Sequence, residues 1–89
     1  MVESIRRRPQ RILVVDDHLD NTLLMRELLS RQGYQVLIAN SAADAEEIMH
    51  TAPPDLVLLD VIMPGKSGYE LCREWKDSSE TRLIPVVMI

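Results

Sequence analysis

A chain of 89 residues has room for one domain. Hydrophobic residues make up 46% and charged ones 27%, which suits a packed globular unit, and with 3% aromatics and no Phe its core must be aliphatic. The formal net charge of −4 argues against a nucleic-acid-binding surface, the lone cysteine excludes an internal disulfide, and no apolar run reaches the roughly 18 residues that cross a membrane.

Residues 1–10 read as a flexible basic tail, with Arg6, Arg7 and Arg8 before Pro9. So short a run is expected to be solvated rather than to grip an acidic partner. No apolar signal-peptide core precedes the first strand, so the cytoplasm is the expected compartment. Ile12-Leu13-Val14-Val15 is a continuous apolar run of strand length, as expected for a strand buried on both faces. It runs into Asp16-Asp17. From about Asp20 to Gln32, Leu24, Met25, Leu28 and Leu29 recur at helical spacing, with Asp20 or Asn21 available as the cap and Gly33 as the stop. Gln35 to Ala39 reads as a second strand. Ser41, with Asp44 three residues on, opens a helix whose stripe is Ala42, Ala45, Ile48 and Met49, and Pro53-Pro54 ends it.

Leu56-Val57-Leu58-Leu59 is a further buried strand between Asp55 and Asp60, after which Met63-Pro64-Gly65 turns the chain away. Taken alone, Asp60 could simply open a turn. Ser67-Gly68-Tyr69-Glu70 has the S-x-x-E pattern of a capping box, starting a helix with Leu71, Cys72 and Trp75 inward and Cys72 as a core thiol. Asp77 to Arg82 reads as a polar loop. Leu83 to Ile89 is the fourth strand, with Pro85 tolerable near its beginning.

Strands alternating with helices imply right-handed crossovers and a parallel sheet. With the first strand beside the third and the second outside the first, the result is an α/β flavodoxin-like doubly wound sheet of strand order 2-1-3-4. Asp16, Asp17 and Asp60 then converge at the switch point, because adjacent strands lie about 4.8 Å apart. Three carboxylates so close repel one another unless a cation neutralises them, and an oxygen-only donor set completed by water or phosphate suits Mg²⁺. No G-x-G-x-x-G, Walker motif or Ser/His/Asp arrangement competes with this site. His18, His50 and Cys72 are too scattered for a zinc motif and read as surface or core residues.

The acid pair after Ile-Leu-Val-Val, Asp60 closing Leu-Val-Leu-Leu, Met63-Pro64-Gly65 and Ser67-Gly68-Tyr69-Glu70 together resemble the receiver domain of two-component response regulators. The resemblance runs from Arg11 to Ile89, and the double acid with D-x-x-M-P-G is a far more specific combination than either half. It implies that Asp60 is the nucleophile that accepts a phosphoryl group from a sensor histidine kinase or a phosphotransfer protein. It also implies that Asp17 coordinates Mg²⁺ directly, Asp16 through water, and the backbone carbonyl of Ile62 as a further ligand, all beside Asp60. The Ile62 side chain would border the path of the hydrolytic water, where an apolar group implies slow self-dephosphorylation. Such a chain is a phosphoacceptor switch rather than an enzyme with a separate substrate, and it binds neither nucleic acid nor membrane.

The family pattern continues past a fourth strand with a Ser or Thr, a helix, a fifth strand ending in a lysine, and a final helix. Residues 11–89 therefore read as an incomplete receiver domain with the fifth strand and last helices missing, and Lys66 and Lys76 lie outside the lysine's position. The alternative is an incomplete receiver that serves only as an interaction or dimerisation module without phosphotransfer. Its fourth strand, apolar and uncharged, is expected to pair with a second copy in a homodimer.

Overall fold

Strands and helices alternate through residues 10–89, which are the residues described by the computed structural model. The strands are β1 (Arg11–Val15), β2 (Gln35–Ala39), β3 (Leu56–Leu59) and β4 (Val86–Met88); the helices are α1 (Leu19–Arg31), α2 (Ala42–Thr51) and α3 (Gly68–Asp77). The arginine run lies outside the described residues. All strand pairs are parallel, in the order β2-β1-β3-β4. This is the flavodoxin-like arrangement expected from the alternation of apolar runs.

Register decides where the acids fall. Val15 pairs with Ala39 on one side and Leu59 on the other. The ladder continues one step further, with the Asp16 N–H donating to the Ala39 carbonyl at 3.1 Å and the Asp60 N–H to the Val15 carbonyl at 2.9 Å. The backbones of Asp16 and Asp60 are thus held by the sheet, and their side chains leave it together at its C-terminal edge.

Strand side chains alternate between faces. Leu13, Val15, Val57 and Leu59 pack against Ala45 and Met49 of α2 and Leu71 and Trp75 of α3, all buried, with Cys72 half-buried beside them. The other face carries Ile12 and Val14, beneath α1. Leu24 and Leu28, which recur at helical spacing in α1, are 58% and 49% exposed, and the buried residue of that helix is Thr22. α1 packs against β1 and β2.

Local chemistry explains the helix ends. The carboxylate of Asp20 and the amide of Asn21 do not cap α1, whose N-cap is His18 with no side-chain cap bond. Its C-terminus closes with Gly33 at φ 94, where the Gly33 N–H reaches the Ser30 carbonyl at 3.0 Å and the Tyr34 N–H the Leu29 carbonyl at 3.3 Å. A left-handed residue is needed there, and glycine takes it without a Cβ clash. Ser41 accepts the Asp44 N–H at 3.1 Å to start α2. At α3 the capping box is complete: Ser67 Oγ accepts the Glu70 N–H at 3.2 Å while Glu70 Oε1 accepts the Ser67 N–H at 3.1 Å.

β4 is shorter than its apolar run. Leu83 is 85% exposed in a turn, and the Ile84 N–H closes that turn on the Thr81 carbonyl at 3.0 Å. Lys76 Nζ secures it by donating to the carbonyls of Arg82 at 3.1 Å and Ile84 at 2.7 Å. Pairing with β3 begins at Pro85, which has no N–H to offer but accepts from Val57 at 2.9 Å.

Candidate functional site

The end of β1 supplies Asp16, Asp17 and His18, and the end of β3 supplies Asp60. Asp16 is buried at 8% exposure. Its Oδ1 accepts the His18 backbone N–H at 2.9 Å, and its Oδ2 accepts the Asn21 side-chain amide at 3.2 Å. Burial alone would push the Asp16 carboxyl up. The His18 N–H, the Asn21 amide and the His18 ring together outweigh it and hold the group below its ordinary value. Behind it, Asn40 Nδ2 donates to the Asp16 carbonyl at 2.8 Å and to Thr22 Oγ1 at 3.1 Å, bracing the β1–α1 turn against the end of β2.

Asp17 Oδ1 is a buried oxygen with no hydrogen-bond partner. It lies 3.2 Å from His18 Nδ1, in a geometry that is not a hydrogen bond. Asp60 Oδ1 accepts the Ile62 backbone N–H at 3.1 Å, which fixes the carboxylate at the mouth of the turn. The Ile62 side chain stands in solvent at 81% exposure. An open cavity of about 250 Å³ is bordered by Asp16, Asn21, Leu24, Met25, Asp60 and Ile89, so the carboxylate of Asp60 can be reached from outside.

The three acids placed together by the sequence do meet, and a fourth residue joins them. Asp16, Asp17, His18 and Asp60 each bring one donor atom to within 4.8 Å of the other three. The His18 ring, which the sequence suggests as a surface group, has Nδ1 3.2 Å from both Asp16 Oδ1 and Asp17 Oδ1. Its bond to Asp16, followed by the charge of Asp17, raises its pKa above the ordinary imidazole value, against a smaller opposing effect of desolvation. The signal that could have found His18 was its adjacency to the acid pair at a strand end. The other polar residues are engaged elsewhere. Lys66 bonds Glu74 at 2.9 Å and lies 3.5 Å from Glu46, and His50 sits 3.9 Å from Glu80.

The donor set fits a hard divalent cation. Three carboxylates converge with an exposed imidazole as the cationic side chain among them, and a buried carboxylate oxygen without a hydrogen-bond partner is costly. A cation at Asp17 would relieve both. Such an ion would be held by Asp16, Asp17 and Asp60, whose chemistry suits Mg²⁺.

Comparison with known proteins agrees with this geometry. A family profile described as the response regulator receiver domain matches residues 12–89. The response regulator PleD of Caulobacter vibrioides is 44% identical over 79 residues, which are 89% of this chain and 17% of PleD. Protein PilH of Pseudomonas aeruginosa is 35% identical over 79 residues, 89% of this chain and 65% of PilH. The chain therefore spans less than two thirds of the length of these relatives. Among solved structures, the N-terminal domain of a response regulator receiver protein from Methanoculleus marisnigri JR1 superposes with a TM-score of 0.85 at 40% identity, over 88% of this chain and 63% of that one. With sheet order, acid pair and sequence match all in accord from Ile12 to Ile89, the chain belongs to the response regulator receiver domain family.

Proposed function

We propose that this chain is the phosphoacceptor segment of a two-component switch, in which Asp60 takes a phosphoryl group from the phosphohistidine of a sensor histidine kinase or a phosphotransfer protein. An Asp60 oxygen attacks phosphorus in line, the P–N bond breaks with its electron pair returning to the imidazole, and the product is an acyl phosphate on Asp60. The cation site is Asp16, Asp17, Asp60 and the backbone carbonyl of Ile62. Bound there, Mg²⁺ would offset the negative charge of the phosphoryl oxygens. The chain's own contribution is position. The sheet holds the Asp60 backbone, the Ile62 N–H orients its carboxylate, and the braced β1–α1 turn aims Asp16 and Asp17 at the same point.

The observation that carries this reading is the buried Asp17 oxygen, without a hydrogen bond, gathered with the Asp60 carboxylate in one cluster. A module selected only for interaction would have no use for that costly arrangement, so the cluster weighs against phosphotransfer-free dimerisation. Exchange with a kinase suits a cytoplasmic location, and no helix among the described residues is long and apolar enough to cross a membrane. The decisive experiment incubates the full-length protein with acetyl phosphate and Mg²⁺ and maps the acyl phosphate by reductive trapping and peptide mass. Label on Asp60, abolished in Asp60→Asn, is expected. Label on Asp16 or Asp17, or its persistence in Asp60→Asn, would overturn the assignment.

A further inference from the structure

The acidic cluster contains a nitrogen. His18 Nδ1 lies 3.2 Å from Asp16 Oδ1 and 3.2 Å from Asp17 Oδ1, within the same 4.8 Å group as the Asp60 carboxylate. Two donors bound side by side to one octahedral ion at about 2.1–2.2 Å are separated by about 3.0–3.1 Å, the edge of the octahedron. The imidazole therefore already stands at almost the spacing of a shared coordination sphere. Its backbone is set by the N–H bond to Asp16 Oδ1 and by its place as the N-cap of α1, while the side chain, 70% exposed, is free to make a small adjustment.

We propose that His18 is a further ligand of the bound cation through Nδ1, and that it shifts the site from Mg²⁺ toward imidazole-accepting divalent ions such as Mn²⁺ and Ni²⁺. The inference rests on the metal site proposed above and adds its selectivity. Mg²⁺ favours oxygen donors and keeps its waters, so an adjacent imidazole gives it little. Mn²⁺ and, more strongly, Ni²⁺ accept imidazole nitrogen, and Ni²⁺ stands well above Mn²⁺ in the general order of affinity. The same nitrogen faces Asp16 Oδ1 as a hydrogen-bonding partner. On binding, Nδ1 releases the proton it shares with Asp16 to solvent, Nε2 keeps its own, and the Asp16 contact is exchanged for the metal bond.

The test uses the full-length protein with Mg²⁺, Mn²⁺ or Ni²⁺ alone, in wild type, His18→Ala, His18→Gln and Asp17→Ala. Thermal unfolding confirms that each variant is folded. Changes outside the coordination sphere commonly cost about 10–100-fold in metal affinity. Loss of a direct nitrogen ligand should therefore lower the Ni²⁺/Mg²⁺ affinity ratio by at least about tenfold in both His18 variants. Because glutamine keeps a polar donor without an imidazole, its agreement with alanine separates ligation from loss of the Asp16 contact. Pulsed electron paramagnetic resonance of the Mn²⁺-loaded wild type should show nitrogen coupling that vanishes in His18→Ala. Absence of that coupling, or an unchanged ratio, overturns the role of His18 while leaving the metal site standing. Mg²⁺ binding that survives in Asp17→Ala overturns the metal site itself, and the proposal with it.

Discussion

Gly68 sits directly against Asp60: a Cβ built on Gly68 would run into the Asp60 carbonyl oxygen, and would lie 3.0 Å from the Val61 Cα and 3.1 Å from the Asp60 carbonyl carbon. The Gly68 N–H also donates to the Val61 carbonyl at 3.0 Å. The first residue of α3 is thereby locked to the segment that presents Asp60. What the position demands is space rather than a left-handed backbone, since Gly68, unlike Gly33 and Gly65, does not have a positive φ. On an open helix, Gly→Ala would gain up to about 1 kcal/mol. Here the obstacle is backbone, which cannot rotate aside, so overpacking should win and Gly68→Ala should destabilise by about 1–3 kcal/mol. Urea unfolding of the full-length protein reads this directly, and a neutral or stabilised variant would show that the strand end yields freely.

Asp17 and Asp20 lie three residues apart along the chain, and of the two Asp17 belongs to the convergent cluster. If Mg²⁺ binds at a site rather than in a diffuse field of negative charge, Asp17→Ala should weaken it by at least about tenfold, the scale of structured metal-site changes. Asp20→Ala should leave it within about twofold. Mg²⁺ should also raise the melting temperature of the wild type by mass action, and lose that effect in Asp17→Ala. Equal responses of the two variants in calorimetric titration would mean that no discrete site exists.

The sheet order and the acid convergence were legible because both follow from coarse signals. Ile12 to Val15 and Leu56 to Leu59 are apolar without interruption, as central parallel strands are. An acid next to such a run must lie at the strand end. The capping box at Ser67 and Glu70 was readable for the same reason, since the pattern names its own hydrogen bonds. What escaped depends on details that hydrophobicity does not encode. Leu24 and Leu28 have core chemistry and helical spacing, but how much sheet lies beneath them is a matter of tertiary geometry. Leu83 belongs to an apolar run, and yet the Ile84 N–H turns back to Thr81 and delays β4. Spacing along the chain tests His18 only against a zinc motif, whereas its neighbours in the cluster include Asp60, which another strand delivers.

Ile62 offers a test of phosphoryl lifetime. Its backbone N–H holds Asp60 Oδ1, while its side chain points into solvent and could not hydrogen-bond a water beside a phosphoryl group carried on Asp60. Ile62→Asn keeps the backbone bond and adds a donor and an acceptor at that position. The acyl phosphate of the full-length variant should therefore decay several-fold faster than that of wild type, measured as phosphate release after removal of the phosphodonor. An unchanged rate would remove the side chain at position 62 from the control of lifetime.

Thr22 is fully buried and makes two polar contacts, donating from Oγ1 to the Leu19 carbonyl at 2.9 Å and accepting from Asn40 Nδ2 at 3.1 Å. Thr22→Val keeps the shape and strips both. Asn40 then loses one acceptor in a part-buried setting, which should cost about 1–3 kcal/mol. Asn40→Ala in the same background should add less than it does alone, because the pair acts as one brace on the Asp16 carbonyl. Additive losses in that double-mutant cycle would mean that the two residues support the turn independently.

The last prediction concerns the 89-residue segment taken by itself. Leu19, Leu23, Leu24 and Leu28 of α1 are exposed, as are Val87 of β4 and Ile89 just after it. Apolar surface of this extent favours association in water. β4 is also an edge strand among the described residues. The Pro85 and Leu59 carbonyls and the Ile89 N–H are used between β3 and β4, so by alternation the backbone groups of Val86 and Met88 point outward, available to a second chain. Expressed alone, the segment should show a mass that rises with concentration in light scattering, and a monomer at every concentration would rule self-association out. Leu24→Gln with Leu28→Gln should return it toward monomer if the helical face makes the contact. If the double variant associates as strongly as wild type, the contact lies at the β4 edge, where an uncharged run of Val86, Val87 and Met88 does nothing to repel another strand.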